Sequence, residues 1–556
     1  MPGTWFSLSN QPSFTTSTMI LLTDGRVMVQ EERTTHWHAL KPDIHGSYLN
    51  GSWHTLADMS IWRRYYASGV LKDGRVIICG GEQNGTGPDD TNICEIYDPA
   101  EDTWTIIPSP AQLNKIGDAP CSVLPDGRFM IGSIFIPDCA IYNPATNSWS
   151  AVTGKAIASS EETWVLLPDG TILTAQCYSP YSSEKYIISS NTWKNEGPIP
   201  VSLVNPNMNE IGPAMLLYNG RVIYFGAESS GGFGKTAIYT LPSSPGGTGS
   251  WVAGPDIPKI NAVTMVCNDC PATIMPNGKV LFTVANYLSS NWGTPIYFFE
   301  YDPVMNSISQ APTPVNNNTI LYESRLMLLP TGEVLFCPTS SNIQMYIPDG
   351  GPQDNWRPNI ISVAANLLFG VTYSFTVSGT QLNGLSQANM YGDDCYASTN
   401  YPIARLTNQV TGNVYFQYTF DFSTMGVATG TVTHTFKFST AGLPYVTYDL
   451  SVIANGIASN IVTISFKIQK GTLIDTRYKR ELELFTNEIV EGDPWDKRQW
   501  VVDPEIIELR SQIKSLQNSV NRLNSIIKTA ELPNVGKKAA MKERNTGKSG
   551  KEKGEK

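Results

Sequence analysis

The feature that most constrains the fold is a short segment that occurs seven times in the same form. Each copy is an apolar run, a turn with glycine and a second apolar run, as in Leu21-Leu22-Thr23-Asp24-Gly25-Arg26-Val27. Asp-Gly or Asn-Gly between apolar runs is the strongest short signal for a β-hairpin, because both turn positions can adopt positive φ. The sequence therefore predicts seven hairpins, about 51 residues apart. Their turn glycines are Gly25, Gly74, Gly127, Gly170, Gly220, Gly278 and Gly332.

A second signature, a Tyr followed by a Trp, comes after most hairpins. The pairs are Tyr48 and Trp53, Tyr97 and Trp104, Tyr142 and Trp149, Tyr186 and Trp193, Tyr239 and Trp251, and Tyr346 and Trp356. A hairpin followed by two more strands makes a four-stranded sheet, and a period near 50 is typical of kelch-type propeller repeats. Seven such sheets close a ring without free edges. We predict an all-β fold with a seven-bladed β-propeller over residues 1–356, its aromatic residues packed between blades.

The period stops after Arg357, and alternating strands follow over residues 357–470. Examples are Tyr373-Ser374-Phe375-Thr376-Val377 and Tyr448-Asp449-Leu450-Ser451-Val452. Strands of this kind predict a small antiparallel β-sandwich of the immunoglobulin type. Residues 471–502 are predicted to form a linker.

A helix is predicted to begin at Asp503-Pro504-Glu505, which offers a cap, a first-turn proline and an acid at the helix N-terminus. Apolar residues then recur at alternating steps of three and four, which predicts an α-helical coiled coil over residues 503–532. This oligomerisation seam consists of Ile506, Leu509, Ile513, Leu516, Val520, Leu523 and Ile527. Ile or Val at a with Leu at d favours a parallel dimer, and a trimer stays open. The alternative is an amphipathic helix packed on its own chain.

Charge is unevenly distributed along the chain. The net charge is −10, yet the tail over residues 533–556 is rich in Lys and Gly. We expect this basic tail to be disordered, and it is the one segment suited to a nucleic acid; a solvated tail is the alternative. The acidic remainder is a poor general nucleic-acid binder.

The sequence gives few signals of a compartment. Met1-Pro2-Gly3-Thr4-Trp5 shows no basic region with an apolar core, so a standard secretory signal is not expected. Apolar runs are too short for a membrane-spanning helix. The location stays open between the cytoplasm, unconventional export and incorporation into a larger particle.

A ring of acidic residues is the sharpest functional signal. The ninth residue before each turn glycine lies one extended strand away, at the face opposite the turn. These residues are Thr16, Tyr65, Asp118, Glu161, Ile211, Asp269 and Glu323, with Glu210 beside the apolar Ile211. Four of the seven are acids, whereas 49 Asp and Glu in 556 residues would give fewer than one by chance. We expect an axial ligand pocket lined by Tyr65 and these acids.

Convergent carboxylates repel one another, so they must be protonated, hydrogen-bonded or shared by a hard cation. The cation expected at Asp118, Glu161, Asp269 and Glu323 is calcium. The alternative is that each acid accepts hydrogen bonds from its own loop. No catalytic residue follows from the ring alone.

The layout resembles the galactose oxidase-like kelch family, in which a propeller precedes an immunoglobulin-like (early-set) domain. The resemblance covers residues 10–468. It includes Arg63-Arg64-Tyr65-Tyr66-Ala67-Ser68, the seven hairpins, Tyr391-Gly392-Asp393-Asp394, Asn400-Tyr401-Pro402 and Ala454-Asn455-Gly456-Ile457-Ala458-Ser459. It implies oxidation of primary alcohols or aldehydes at a copper-radical centre. That centre has a tyrosine cross-linked to a cysteine, a tandem Tyr-His and a further histidine from the C-terminal domain.

The copper ligands that the resemblance implies are largely missing here. Tyr65 stands at the cross-linked tyrosine, but Thr16 takes the cysteine's place. The tandem pair is Tyr322-Glu323, so Tyr322 joins the axial pocket and the histidine is a glutamate. The last histidine's place falls near Cys395-Tyr396, and no histidine lies between residues 55 and 433. Copper(II) prefers imidazole nitrogen, so copper is not expected.

Three weaker patterns are kept as alternatives. His36-Trp37-His38 has two imidazoles on one side of a strand, as a zinc or copper site would need; surface or packing histidines are the alternative. Cys267-Asn268-Asp269-Cys270 has the CxxC spacing of a zinc site but no second pair, so buried free thiols are the alternative. Glu161-Glu162 or Asp393-Asp394 suggest a hydrolytic acid pair, and solvated acids are the alternative. The nine cysteines are not expected to form a disulfide framework.

Two functions are consistent with these patterns. The first is a non-redox binding or structural protein that presents propeller faces to a protein or glycan ligand, multivalently through the coiled coil. The second is an enzyme that uses the same pocket, either a divergent oxidoreductase or a cation-dependent carbohydrate-acting enzyme.

Overall fold

A computed structural model describes residues 3–82, 90–152, 154–178, 182–205, 208–244, 247–287, 293–368, 371–387 and 399–466. These residues all belong to one compact unit, Met1–Asp475. The predicted coiled coil, the basic tail and most of the linker fall in residues 476–556, outside the described residues. The Asp393-Asp394 and Cys395-Tyr396 pairs also lie outside them.

The described residues up to Ile347 form seven antiparallel sheets. Sheet 1 comprises β2 (Thr16–Leu21), β3 (Val27–Glu31), β4 (Trp37–Lys41) and β5 (Ser52–Leu56). Sheet 2 comprises β6 (Ala67–Val70), β7 (Val76–Cys79), β8 (Cys94–Asp98) and β9 (Thr103–Ile107). Sheet 3 comprises β10 (Cys121–Val123), β11 (Phe129–Ile131), β12 (Cys139–Asn143) and β13 (Ser148–Val152).

The next three sheets repeat this order along the chain. Sheet 4 comprises β14 (Val165–Leu166), β15 (Ile172–Ala175), β16 (Ser182–Ile187) and β17 (Thr192–Pro198). Sheet 5 comprises β18 (Ala214–Leu216), β19 (Val222–Phe225), β20 (Thr236–Thr240) and β21 (Ser250–Ala253). Sheet 6 comprises β22 (Met265–Val266), β23 (Ala272–Ile274), β24 (Val280–Asn286), β25 (Tyr297–Asp302) and β26 (Ser307–Gln310).

Sheet 7 takes its fourth strand from the other end of the chain. It comprises β27 (Arg325–Leu328), β28 (Val334–Cys337), β29 (Gln344–Ile347) and β1 (Thr4–Ser7). Trp5 therefore stands opposite Tyr346. The prediction that Trp356 completes the last aromatic pair is wrong, because Trp356 packs on Tyr218 instead, 5.0 Å between ring centroids.

The strands that lead into the hairpin turns of neighbouring sheets lie side by side, as in β6 and β10, β14 and β18, β18 and β23, β23 and β27, and β27 and β2. Strands β6, β10, β14 and β18 are buried along their whole length. Separate four- and five-stranded sheets whose inner strands lie side by side make this an all-β propeller, as the repeat predicts.

The hairpin turns differ from prediction in their backbone. Only the glycine has positive φ, for example 78° at Gly25, and Asp24 does not. Gly25 N donates to Leu22 O at 3.0 Å and Leu22 N donates to Arg26 O at 2.8 Å, which describes a three-residue loop with a left-handed glycine. The Asp24 carboxylate accepts from the backbone N of Arg26 at 3.0 Å and pairs with its guanidinium. These two contacts of the carboxylate explain why aspartate is favoured before the glycine, although the φ of the aspartate is not positive.

The Tyr and Trp residues pack between sheets, as predicted. Tyr97 and Trp104 are cross-strand neighbours in sheet 2, with ring centroids 5.2 Å apart. The Trp104 indole donates to Ala57 O, which follows sheet 1, at 2.9 Å. In the same way Trp149 donates to Pro108 O, which follows sheet 2. Each of these indoles links its sheet to the preceding one.

Two further antiparallel sheets follow the propeller. A short 3-10 turn, Asp354–Trp356, precedes them, and another, Ser230–Gly232, lies between β19 and β20 of sheet 5. The first contains β30 (Asn359–Leu368), β31 (Val371–Thr380), β34 (Thr419–Phe420) and β35 (Thr433–Ser439). The second contains β32 (Ile403–Asn408), β33 (Val414–Gln417), β36 (Thr447–Ala454), β37 (Ile457–Ala458) and β38 (Val462–Ser465). Within the described part of the chain, no helix is long and apolar enough to span a membrane.

These two sheets pack on the hairpin-turn face of the propeller. A Cβ atom on Gly25 would lie 2.8 Å from Phe416, and one on Gly74 would lie 2.5 Å from Thr419 O. The Tyr401 hydroxyl donates to Leu21 O, and Met425 N donates to Pro125 O at 2.9 Å. The opposite ends of the first strands, where the acids stand, therefore belong to the other face.

Candidate functional site

A left-handed residue leads the chain into the first strand of several sheets. These residues are Tyr65 (φ 50°), Gly117 (69°), Ser160 (49°), Asn209 (57°) and Asp269 (55°). Outside glycine this conformation costs about 1 kcal/mol or more, so the surrounding sheets must hold it. Asp118, Glu161 and Glu210 directly follow such residues, and Asp269 is one. This repeated left-handed conformation therefore places the acids at the same position relative to the first strand in successive sheets.

Three carboxylates of consecutive sheets converge in a group that we call the acid trio: Glu161, Glu210 and Asp269. One carboxylate oxygen from each lies within 4.8 Å of the others. Glu210 and Asp269 are buried, and Glu161 is half-buried. Three carboxylates so close together give the trio a strong negative potential.

The backbone around the trio is tied across sheets 5 and 6. Asp269 N donates to Ile211 O at 3.1 Å, Cys267 N donates to Gly226 O at 3.1 Å, and Asn205 N donates to Glu210 O at 2.8 Å. Cys267 and Cys270 form a disulfide that closes the segment holding Asp269. The CxxC spacing therefore corresponds to a disulfide in the structure rather than to a zinc site or to buried free thiols. Among the described residues, six other cysteines are free and buried, as expected: Cys79, Cys94, Cys121, Cys139, Cys177 and Cys337.

A second group, the arginine–tyrosine cluster, consists of Arg64, Tyr65, Tyr322, Glu323 and Arg325. The rings of Tyr65 and Tyr322 meet edge to face, with centroids 5.9 Å apart. The Arg64 and Arg325 guanidinium carbons lie 4.4 and 5.9 Å from the Tyr65 ring centroid. Both arginines are buried, while Tyr322 and Glu323 are half-buried. The cluster therefore offers its Tyr322 and Glu323 edge to solvent.

Hydrogen bonds and ion pairs fix both arginines. Arg64 pairs with Glu323 at 3.3 Å and with Glu32 at 3.2 Å. Arg325 donates to the backbone oxygen of Tyr322 at 2.6 Å. The guanidinium planes are thereby held against Tyr65.

The structure brings together two residues of the predicted cation set. Glu161 and Asp269 lie beside Glu210, which the sequence places in the axial pocket but not in the cation set. Glu323 is not in the acid trio, and its carboxylate pairs with Arg64. Asp118 is buried, and its carboxylate lies outside the acid trio. One extra residue before the turn in sheet 5 explains why counting nine residues selected Ile211.

The residues at the copper position implied by the resemblance do not fit that metal. Tyr65 and Tyr322 do meet, but two guanidinium cations flank Tyr65 and the glutamate in the histidine's place is ion-paired. Positive charge repels a copper ion, and imidazole ligands are missing. His434 accepts from Leu382 N at 3.0 Å, and burial lowers its pKa to about 4. It is a neutral hydrogen-bond acceptor inside the C-terminal sheets.

A cysteine that sequence reasoning missed lies beside Thr16. The Sγ of Cys337 is 2.7 Å from the Thr16 hydroxyl, although the two residues stand at opposite ends of the propeller chain. Burial raises the pKa of the Cys337 thiol. Cys337 pairs with Arg325 at the end of the sheet 7 hairpin, and this position in the hairpin is the signal in the sequence that Cys337 is buried.

The weaker sequence patterns also receive a structural account. Glu162 is buried against Lys155 and accepts from Thr174 Oγ1 at 2.9 Å, and burial raises its pKa to about 7. It is thus engaged apart from the acid trio to which Glu161 belongs. His36 pairs with Asp58 at 2.9 Å and His38 with Glu31 at 3.2 Å, so the two imidazoles have different partners.

Comparison with known proteins identifies one local family match. The Kelch motif matches residues 63–111, which include Arg64, Tyr65 and all four strands of sheet 2. No curated protein matches the sequence significantly.

Solved structures give distant likenesses. A fungal alcohol oxidase of the AA5 family, in complex with copper, is 13% identical with a TM-score of 0.48, covering 84% of this chain and 99% of that one. A streptogramin B lyase is 14% identical with a TM-score of 0.42, covering 63% and 99%. Virginiamycin B lyase from Staphylococcus aureus is 11% identical with a TM-score of 0.43, covering 62% and 98%. Likenesses of this size carry no conclusion about function.

Proposed function

We propose that this chain is a non-redox kelch-type propeller protein that binds a glycan at the axial mouth of its open face. The observation that supports this function is the arginine–tyrosine cluster. At the place where the resemblance implies a copper centre, Arg64 and Arg325 flank Tyr65, and Glu323 pairs with Arg64. The two buried guanidinium groups hold Tyr322 and Glu323, the half-exposed edge of the cluster, in position to recognise a polar ligand.

The chemistry of the cluster matches that of a sugar. The Glu323 carboxylate can accept hydrogen bonds from neighbouring sugar hydroxyls, and its ion pair with Arg64 fixes its orientation. Aromatic rings pack on the apolar face of a pyranose and keep their polar edge free. Tyr322 and Glu323 are the half-exposed members, so they make first contact with the ligand. A protein ligand is the alternative that the experiment below separates.

We further propose the architecture that the sequence predicts. The seven sheets are the blades of a closed ring over residues 1–356, and residues 357–470 form an immunoglobulin-type sandwich. A linker over residues 471–502 precedes a parallel coiled coil over residues 503–532 and the basic tail. The coiled coil joins two or three propellers, which raises avidity for a repetitive surface without any new contact.

A second candidate function is a divergent oxidase or a cation-dependent carbohydrate-acting enzyme using the same mouth. The contact between Tyr65 and Tyr322 favours it, since both tyrosines keep the positions that the resemblance implies. Stoichiometric copper in the purified protein, with hydrogen peroxide released from alcohols or aldehydes, would establish the oxidase and overturn the binding role.

A glycan array probed with the intact, full-length protein tests the proposal. We expect binding to a defined group of glycans, at least about tenfold weaker for Tyr322→Ala, which removes one aromatic anchor. The matched control is Tyr373→Ala, an exposed tyrosine in the C-terminal sheets, which should bind as the wild type does. Absence of any glycan binding, or full binding by Tyr322→Ala, would contradict the proposal. Protein capture that Tyr322→Ala abolishes would assign the mouth to a protein instead.

A further inference from the structure

We propose that the acid trio and the side-chain oxygen of Asn268 bind one Ca²⁺ ion. The trio brings one oxygen each from Glu161, Glu210 and Asp269 within 4.8 Å of the others. Carboxylates at this spacing repel one another, and burial of two of them strengthens the repulsion. A divalent cation between them removes it.

Asn268 supplies a second, independent observation. The residue is only 5% exposed, and its Nδ2 donates to Glu210 Oε2 at 2.6 Å. This bond fixes the amide orientation, because the NH₂ group must face the carboxylate. The amide oxygen Oδ1 is buried and accepts no hydrogen bond from the described residues. A buried acceptor without a donor is unfavourable, and a cation at the trio would satisfy it.

The donor set selects a hard cation. All four donors are oxygens, from carboxylates and an amide, which is the set that Ca²⁺ prefers. The two sulfurs that flank Asp269 are joined in the Cys267–Cys270 disulfide, so neither is a thiolate for zinc. Oxygens on opposite sides of a Ca²⁺ ion lie about 5 Å apart, which accommodates the spacing of the trio. Mg²⁺ demands a tighter octahedron and keeps most of its water.

The held backbone makes this a preformed site. The disulfide closes the segment that carries Asn268 and Asp269, and Asp269 N is bonded to Ile211, beside Glu210. Three ligands therefore come from two segments that are tied to each other. The proposed calcium site shares no residue with the arginine–tyrosine cluster. Calcium binding therefore does not depend on which ligand the mouth binds.

Calorimetry with CaCl₂ alone tests the proposal on the full-length protein after EDTA treatment and desalting. We expect one saturable site per chain, with weaker or no binding of MgCl₂, and a higher thermal midpoint in Ca²⁺ than in EDTA. Absence of saturable Ca²⁺ binding overturns the proposal, and tighter binding of Mg²⁺ overturns the choice of calcium. Because no glycan is present, this result is independent of the proposed glycan function.

Isosteric variants assign the ion to these residues. Glu210→Gln and Asp269→Asn should each weaken Ca²⁺ binding at least about tenfold, and Asn268→Ala should weaken it as well. In EDTA the two carboxylate variants should melt at or above the wild-type temperature, because they relieve repulsion; this excludes misfolding as the cause. The control is Glu101→Gln, an exposed acid between β8 and β9. Wild-type affinity in Glu210→Gln and Asp269→Asn would overturn the assignment.

Discussion

Trp5 and Tyr346 face each other across sheet 7, with ring centroids 4.9 Å apart, although they come from opposite ends of the propeller chain. The Trp5 indole also donates to Pro312 O at 2.8 Å, which follows the last strand of sheet 6. Trp5 thus repeats, from the N-terminus, the link that Trp104 and Trp149 make elsewhere. One strand of four residues joins the first part of the propeller to the last.

This relationship predicts that Trp5→Ala destabilises the protein strongly. The indole is half-buried against Phe298 and Phe336, so we expect a loss of about 2–3 kcal/mol in the free energy of unfolding. The measurement is urea unfolding followed by circular dichroism. Phe6→Ala is the matched control, since Phe6 is the next residue on the same strand and is 44% exposed. Equal losses in the two variants would show that Trp5 has no special part in closing sheet 7.

The sequence predicts the repeated elements well and the closure poorly. Hairpins and Tyr–Trp pairs arise from local spacing, so their positions follow from the chain itself. Trp356 has the spacing expected after Tyr346, yet the partner of Tyr346 is Trp5. Strand pairing between distant ends depends on the closure of the whole sheet arrangement, and no local pattern encodes it.

The residues of the candidate site, like the fold, could be predicted only in part from the sequence. Counting from the turn glycines identifies Glu161 and Asp269, because each stands nine residues before its turn glycine. The same count selects Glu323, whose carboxylate instead pairs with Arg64 from the segment before sheet 2. It also leaves out the Asn268 amide and the disulfide, which depend on how two loops meet. Side-chain partners across sheets are set by packing rather than by spacing.

The contact between the C-terminal sheets and the hairpin turns predicts a difference between two equivalent glycines. Gly25 and Gly220 have nearly the same φ, 78° and 80°, but only Gly25 lies against Phe416. Gly220→Ala should cost about 1 kcal/mol for the left-handed backbone alone. Gly25→Ala should cost about 2–3 kcal/mol, because its Cβ would overlap the Phe416 ring. Chemical unfolding of both variants measures the difference.

A double variant tests the cause of that difference. In a Phe416→Gly background, which also removes the Phe416 Cβ atom that would lie 2.9 Å from a Cβ on Gly25, Gly25→Ala should cost no more than Gly220→Ala does in the wild type. A cost that stays at its original size would place the strain in the turn itself rather than in the contact between the sheets.

The buried His434 predicts a loss of stability in acid. Burial lowers its pKa from 6.5 to about 4 in the folded state. Between these values the unfolded chain binds a proton that the folded chain does not, so the free energy of unfolding rises with pH. This contribution to the free energy of unfolding, roughly 2–3 kcal/mol, is present above pH 6.5 and is lost as the pH falls towards 4. His434→Gln removes the titrating group, so the urea midpoint should change less between pH 7 and pH 4.5. An identical pH dependence in both proteins would contradict this role of His434.

The last prediction concerns the coiled coil predicted over residues 503–532, whose apolar residues would hold copies of the chain together. If Leu509 and Leu516 occupy d positions of a parallel coiled coil, replacing both by Asp places unpaired charges in its core. The full-length double variant should then be monomeric by size-exclusion chromatography with light scattering, whereas the wild type has the mass of a dimer or trimer. Asn518→Asp is the control, because this residue falls at the outward f position of the same heptad and should keep the wild-type mass. Truncation after Pro504 should reduce the mass in the same way. A double variant that keeps the wild-type assembly would mean that the globular domains, rather than this helix, hold the copies together.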